Sequence, residues 1–180
     1  MTTANKVTIL RMALIPVFLV VLYADFRASG YVALMVFIVA CLTDFADGYI
    51  ARHYHQITNF GKFMDPLADK MLVMSAMCYF VEVRQMPGWC LAIVLLREFA
   101  VSGMRLVAVE QGRVIAAAWS GKIKTASTMV CLCIMMLLGE PWVPVPRVLN
   151  MVCIAVIAGT TVYSGIEYFV KNGDVFKDAD

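Results

Sequence analysis

Charge is scarce in this sequence, and nothing in it reads as a water-soluble domain. Asp, Glu, Lys and Arg make up 16% of its 180 residues, with no repeat and no low-complexity tract. The closing KNGDVFKDAD is a polar tail, expected to fray. Zinc-knuckle spacing is missing among Cys41, Cys78, Cys90, Cys131, Cys133 and Cys153. Most of these cysteines sit in apolar runs, where small packing residues are the better reading than disulfides or zinc. The first apolar run has no convincing small-residue cleavage site and is interrupted by Arg11, so it reads as a retained helix and not a signal peptide.

What is abundant is apolar surface. The chain is 62% hydrophobic, with a mean hydropathy of +0.79, where a soluble domain is about half apolar. Six windows are long enough to cross a bilayer as helices: 7–23, 31–51, 63–83, 89–109, 123–138 and 148–170. The expectation is one all-α, polytopic membrane domain over 1–180. With six spans both termini share a side. Lys6, Arg11, Arg52, Lys62, Lys70, Arg113, Lys122, Lys124, Lys171 and Lys177 lie on or near that side, against Arg27, Arg84 and Arg147 on the other. The positive-inside rule makes the first side cytoplasmic.

Against this background the segment TDFADGYIARHYHQITNFGKFMDPLADK stands out, because it holds Asp44, Asp47, Asp65 and Asp69. Asp44 lies about 20 Å along the second span from Tyr31 at 1.5 Å per residue, and Asp65 and Asp69 open the third span from the same side. The i,i+3 and i,i+4 spacings put each pair on one helix face. Gly48, Ala51, Gly61 and Ala68 accompany them and allow close approach. Four carboxylates at one depth repel strongly unless protonated, paired with bases or neutralised by cations. Hard oxygen donors suit Mg²⁺, Mn²⁺ or Ca²⁺, and two divalent ions would balance four charges. The bland alternative is a membrane-edge hairpin with solvated acids.

The pattern D-x2-D-G-x2-A-R-x8-G-x3-D-x3-D, met at Asp44, Asp47, Gly48, Ala51, Arg52, Gly61, Asp65 and Asp69, resembles the signature of the CDP-alcohol phosphotransferases. The six-span layout is similar to that family over nearly the whole chain. The resemblance implies transfer of a phosphoryl-bearing group from a CDP-linked donor to an acceptor hydroxyl, with CMP leaving. It implies two divalent cations, Mg²⁺ or Mn²⁺, held by Asp44, Asp47, Asp65 and Asp69, with Asp69 also the general base. Gly48, Arg52 and Thr58 match nucleotide-contacting positions, with Ala51 and Gly61 beside them.

Polar residues elsewhere bear on the acceptor. Arg97 and Glu98 lie about 13 Å into the fourth span, and read either as a structural ion pair or as functional groups. Glu98 and Arg105 are seven apart, on one face. Arg105, Lys122 and Lys124 are candidates to bind an anionic head group; the two lysines alternatively anchor topology. LLREFAVSGMR and SGKIKT resemble the bacterial branch of the family that makes phosphatidylglycerophosphate from CDP-diacylglycerol and sn-glycerol 3-phosphate. Asn5, Thr8 and Arg11 match the N-terminal N-x2-T-x2-R of that branch; they either help hold the donor head group or anchor an N-terminal interfacial segment. The resemblance further implies an inner-membrane enzyme with a cytoplasmic active site, a homodimer, contacts with membrane lipids and no nucleic-acid partner. An acceptor such as serine, inositol phosphate or phosphatidylglycerol is the alternative within the family. An ion carrier is the rival class, for which a nucleotide-contacting Gly48, Arg52 and Gly61 would be without purpose.

Overall fold

The structure, a computed structural model, describes the backbone of residues 3–24, 26, 28–53, 59–113, 115–116, 118–138 and 146–176, and side chains within 12–24, 26, 28–43, 70–113, 115–116, 118–138 and 146–174. Its regular elements are helical throughout: α1 (Thr3–Tyr23), α2 (Ser29–His53), α3 (Asn59–Glu82), α4 (Gly88–Glu110), α5 (Trp119–Leu138) and α6 (Arg147–Asn172), then a short 3₁₀ turn at Gly173–Phe176. Each helix covers one of the six apolar windows. Helices are the natural answer for so apolar a chain, since they satisfy their own backbone hydrogen bonds.

The sequence pattern sets where the helices stop. Pro87 and Pro146 immediately precede α4 and α6, positions where a missing N–H costs nothing. Gly112 ends α4 with φ +73°, and the Arg113 amide donates back to the Ala108 carbonyl at 2.8 Å. After α3 the same left-handed position is taken by Arg84, φ +59°, with the Gln85 amide donating to the Phe80 carbonyl at 2.9 Å. The expected frayed tail starts more ordered than its composition suggests: Arg113 pairs with Asp174 of the 3₁₀ turn at 2.8 Å.

Packing divides the helices unequally. α1 lies against α2 and α3, α5 against α6 and α2, and α4 against α6, while α3 meets α4 and α5 only sparsely. The main core joins Phe18, Phe37, Met77, Leu132, Met135 and Ile157 from α1, α2, α3, α5 and α6. The rings of Phe18 and Phe37 stand 5.8 Å apart, and the small Ala33 and Ala40 let the neighbouring helices close on α2. A smaller cluster of Val101, Met104 and Tyr168 joins α4 to α6. Cys78, Cys90, Cys131, Cys133 and Cys153 are free thiols.

The exterior is strongly apolar: Val20, Leu96, Phe99, Trp119, Val148 and Val170 are all largely exposed, as a lipid-facing surface requires. Among the described residues, α5 and α6 are each long and apolar enough to cross a membrane, and Met12–Tyr23 and Ser29–Thr43 are shorter apolar stretches. The expected N-terminal interfacial segment falls within α1, which runs unbroken from Thr3 to Tyr23 through Pro16.

Candidate functional site

The acidic motif lies on α2 and α3. Both helices continue through it: α2 carries Asp44, Asp47, Gly48, Ala51 and Arg52 before ending at His53, and α3 carries Gly61, Asp65 and Asp69. The helical spacing on which the face argument rests is therefore present in the backbone. The side chains of these residues, and of Asn5, Thr8 and Arg11 on α1, lie outside the described set, as does Thr58 altogether. Among the described residues no group of three His, Cys, Asp or Glu side chains is gathered as a metal site. The donor chemistry of four carboxylates on two consecutive helices still fits hard divalent cations.

One residue beyond Asp69, Lys70 belongs to a charged network centred on Glu98. Its Oε1 accepts from Lys124 Nζ at 2.8 Å and from the Arg97 guanidinium at 2.9 Å. Its Oε2 lies 3.3 Å from Lys70 Nζ. Lys70 also donates to Ser102 Oγ at 2.8 Å, and the second arm of Arg97 donates to Ser164 Oγ at 2.7 Å. One carboxylate thus binds cations from α3, α4 and α5, and Arg97 carries the link to α6. Buried charge costs several kcal/mol per ion unless it is paired and hydrogen-bonded, as the Glu98 carboxylate is.

Glycines make the network possible. A Cβ at Gly121 would stand 3.2 Å from the Arg97 guanidinium, and one at Gly165 would stand 3.4 Å from Arg97 Cγ. Arg97 occupies a slot that larger residues on α5 and α6 would close.

A cavity of about 640 Å³ opens beside this network between α4, α5 and α6. Lys70, Arg97, Arg105 and Lys122 line it, with Glu98, Ser102, Thr125 and Tyr168. Arg105 Nε donates to the Tyr168 hydroxyl at 3.1 Å, and the guanidinium carbon lies 5.6 Å from that ring's centre. Lys122 Nζ stands 5.0 Å from the centre of the Trp119 ring. Both cations rest on aromatic faces, which attract positive charge without neutralising it. Four cations against one described carboxylate give this cavity a positive field suited to a multiply charged anion.

A second cavity of about 690 Å³, lined by Leu19, Met71, Met74, Leu95 and Phe99, shares Lys70, Glu98 and Ser102 with the first. Polar and apolar spaces therefore meet along one wall.

The structure brings Arg105 and Lys122 to one cavity as their sequence positions suggested. Lys124 does not join them there: it is 4% exposed and turned to Glu98. The Arg97–Glu98 ion pair is present, as part of a larger cluster than the adjacent pair alone implied. From sequence, Lys70 reads only as a topology charge and Ser164 only as a small helix-contact residue, and Ser102, Gly121 and Tyr168 are not singled out. The signal for Ser102 was legible, since it falls between Glu98 and Arg105 at i+4 on the same face of α4. Nothing comparable marked Tyr168, which arrives from α6.

The sequence has matches among known proteins. Residues 1–163 match the CDP-alcohol phosphatidyltransferase family, and the chain belongs to it. Similar proteins include the CDP-diacylglycerol–glycerol-3-phosphate 3-phosphatidyltransferase of Bacillus subtilis, 38% identical over 98% of this chain and 97% of its own length. The Salmonella typhimurium protein of the same name is 34% identical over 93% of each chain. A probable phosphatidylglycerophosphate synthase of Mycobacterium tuberculosis is 36% identical over 93% of this chain and 80% of its own length.

Proposed function

We propose that this chain transfers the phosphatidyl group of CDP-diacylglycerol to the hydroxyl of sn-glycerol 3-phosphate, giving phosphatidylglycerophosphate and CMP. The observation that carries the acceptor is the cavity holding Lys70, Arg97, Arg105 and Lys122. A neutral alcohol needs no such field, whereas a phosphate monoester does. The names of the relatives point to the same pair of substrates.

In the proposed reaction, Asp69 takes the proton of the attacking hydroxyl. The acceptor oxygen bonds to the phosphorus bearing diacylglycerol, and the bond from that phosphorus to the CMP oxygen breaks. Gly48, Ala51 and Gly61 leave room for the nucleotide, and Arg52 and Thr58 bind it. Asn5 and Thr8 hold the donor head group. Arg105 and Lys122 receive the acceptor's phosphate. Asp44, Asp47, Asp65 and Asp69 would hold two divalent cations, Mg²⁺ or Mn²⁺, whose chemistry is to neutralise the diphosphate and the departing CMP.

The proposal extends to topology. The chain forms one membrane domain of six spans in the inner membrane, with both termini and the active site facing the cytoplasm, and it works as a homodimer. The apolar exterior and the length of α5 and α6 support the membrane reading.

The test is direct. Purified protein with Mg²⁺ or Mn²⁺ and CDP-diacylglycerol is offered sn-glycerol 3-phosphate, serine, inositol 1-phosphate or phosphatidylglycerol separately, and CMP release is measured. Release with glycerol 3-phosphate alone is the expected result. Release only with another acceptor overturns the acceptor and leaves the family chemistry standing.

A further inference from the structure

The cations around the cavity divide into two sets by their partners. Lys70, Arg97 and Lys124 all bind the Glu98 carboxylate, at 3.3, 2.9 and 2.8 Å. Arg105 and Lys122 instead rest on the rings of Tyr168 and Trp119. Among the described residues no carboxylate pairs with either of these two. The first set is already compensated and held in place; the second retains its electrostatic demand.

Lys124 makes the division sharpest. It lies two residues beyond Lys122 on α5, so the two point about 200° apart around the helix. Its side chain is 5% exposed. It reaches only the small space of about 90 Å³ shared with Lys70, Thr125 and Thr128, and not the large cavity. An ammonium group buried this far needs a counter-ion, and Glu98 supplies it. Without that carboxylate, Lys124 would be an uncompensated buried charge, driven to swing towards solvent. Lys70 and Arg97 would lose their common anchor in the same event, although Ser102 and Ser164 would still hold one bond to each.

We propose that Glu98 is a positioning residue for acceptor recognition: its one carboxylate holds Lys70, Arg97 and Lys124 in the cavity wall, so that Arg105 and Lys122 are the cations left to meet the acceptor's phosphate. This rests on the acceptor reading above. Glu98 touches neither substrate in this role. It fixes the shape and charge of the surface that the phosphate meets, and it fastens α4 to α3 and α5, where these helices otherwise meet sparsely or not at all.

Two measurements on the full-length protein in lipid vesicles test it. In the first, no substrate is added, so the outcome is independent of which acceptor is used. An amine-acetylating reagent is applied, and modification at each lysine is followed by mass spectrometry. Lys124 is expected to be protected in the native protein, with Lys122 modified readily. In Glu98→Gln, acetylation of Lys124 is expected to accelerate about tenfold or more, as a pinned buried amine is released. Rapid modification of Lys124 in the native protein, or unchanged protection in a folded Glu98→Gln, overturns the positioning role.

The second measurement is steady-state kinetics. Glu98→Gln is expected to raise KM for sn-glycerol 3-phosphate about tenfold while changing KM for CDP-diacylglycerol less than about twofold. Glu98→Asp, which keeps the charge on a shorter arm, is expected to recover part of the loss. Equal rises in both KM values, or an Asp variant no better than Gln, overturns the proposal in favour of a purely structural ion pair. If Glu98→Gln does not fold, the labelling of native protein and the Asp variant still decide the matter. Native protein inactive with glycerol 3-phosphate but showing protected Lys124 that Glu98→Gln releases would remove the acceptor reading and leave the positioning geometry intact.

Discussion

Arg97 on α4 reaches Ser164 on α6, its guanidinium donating to Ser164 Oγ at 2.7 Å through a slot bounded by Gly121 and Gly165. The residue that would most directly obstruct this contact is a larger one at position 121. Arg97 is held on its other side by Glu98, so it has little freedom to yield. Gly121→Ala is expected to weaken glycerol 3-phosphate about three- to tenfold, the equivalent of one hydrogen bond. Ser164→Ala, which removes the same bond from the other side, is expected to have a similar effect, and the double variant should cost little more than either alone. Steady-state KM values for the three proteins check this.

Asp69→Asn is expected to lower turnover by at least about a hundredfold, the usual contribution of a positioned base. Binding of CDP-diacylglycerol, measured by calorimetry in detergent, should remain detectable. Normal turnover by this variant would remove the base assignment.

Removal of divalent ions with a chelator is expected to abolish CMP release, and added Mg²⁺ or Mn²⁺ to restore it. Asp44→Asn and Asp65→Asn should each raise the Mn²⁺ concentration needed for half-maximal activity. Activity that persists after exhaustive chelation would count against a metal-dependent site.

Arg105→Ala is expected to raise KM for glycerol 3-phosphate more than for CDP-diacylglycerol. Tyr168→Phe keeps the ring beneath Arg105 and removes only the hydroxyl that accepts its 3.1 Å bond, so a smaller effect of about two- to fivefold is expected. A Tyr168→Phe defect as large as that of Arg105→Ala would mean the phenol itself meets a substrate.

Phe37 is fully buried against Phe18 in the main core. Phe37→Ala is expected to cost about 3–5 kcal/mol, visible as a lower midpoint of thermal aggregation in detergent. Phe99→Ala, at an exposed position of α4, should leave that midpoint nearly unchanged.

The helices were legible because hydropathy alone forces them: every apolar window became one helix, with ends displaced by a few residues. The largest displacements are at Thr3, Asn59 and Trp119, where polar residues extend a helix beyond its apolar stretch. The aspartate motif was legible through its spacing, which survives in the continuous α2 and α3. Hydropathy carries no information about how each helix is rotated against its neighbours. Sequence therefore groups Lys124 with Arg105 and Lys122 as a candidate for an anionic head group or a topology anchor, whereas its side chain faces Glu98. It marks Lys70 only as a topology charge, whereas Lys70 bonds Ser102. Contacts such as Arg105 with Tyr168, 63 residues apart, depend on packing between α4 and α6 that no local pattern encodes.

Lys70 is the immediate chain neighbour of Asp69, and it is fastened to Glu98 and Ser102 on the facing helix. A rotation of α3 about its own axis would turn both residues together. Such a rotation could not re-aim the motif's last aspartate without pulling Lys70 off α4. The proposed acidic half of the site is thereby geared to the wall of the basic cavity through the α3 backbone.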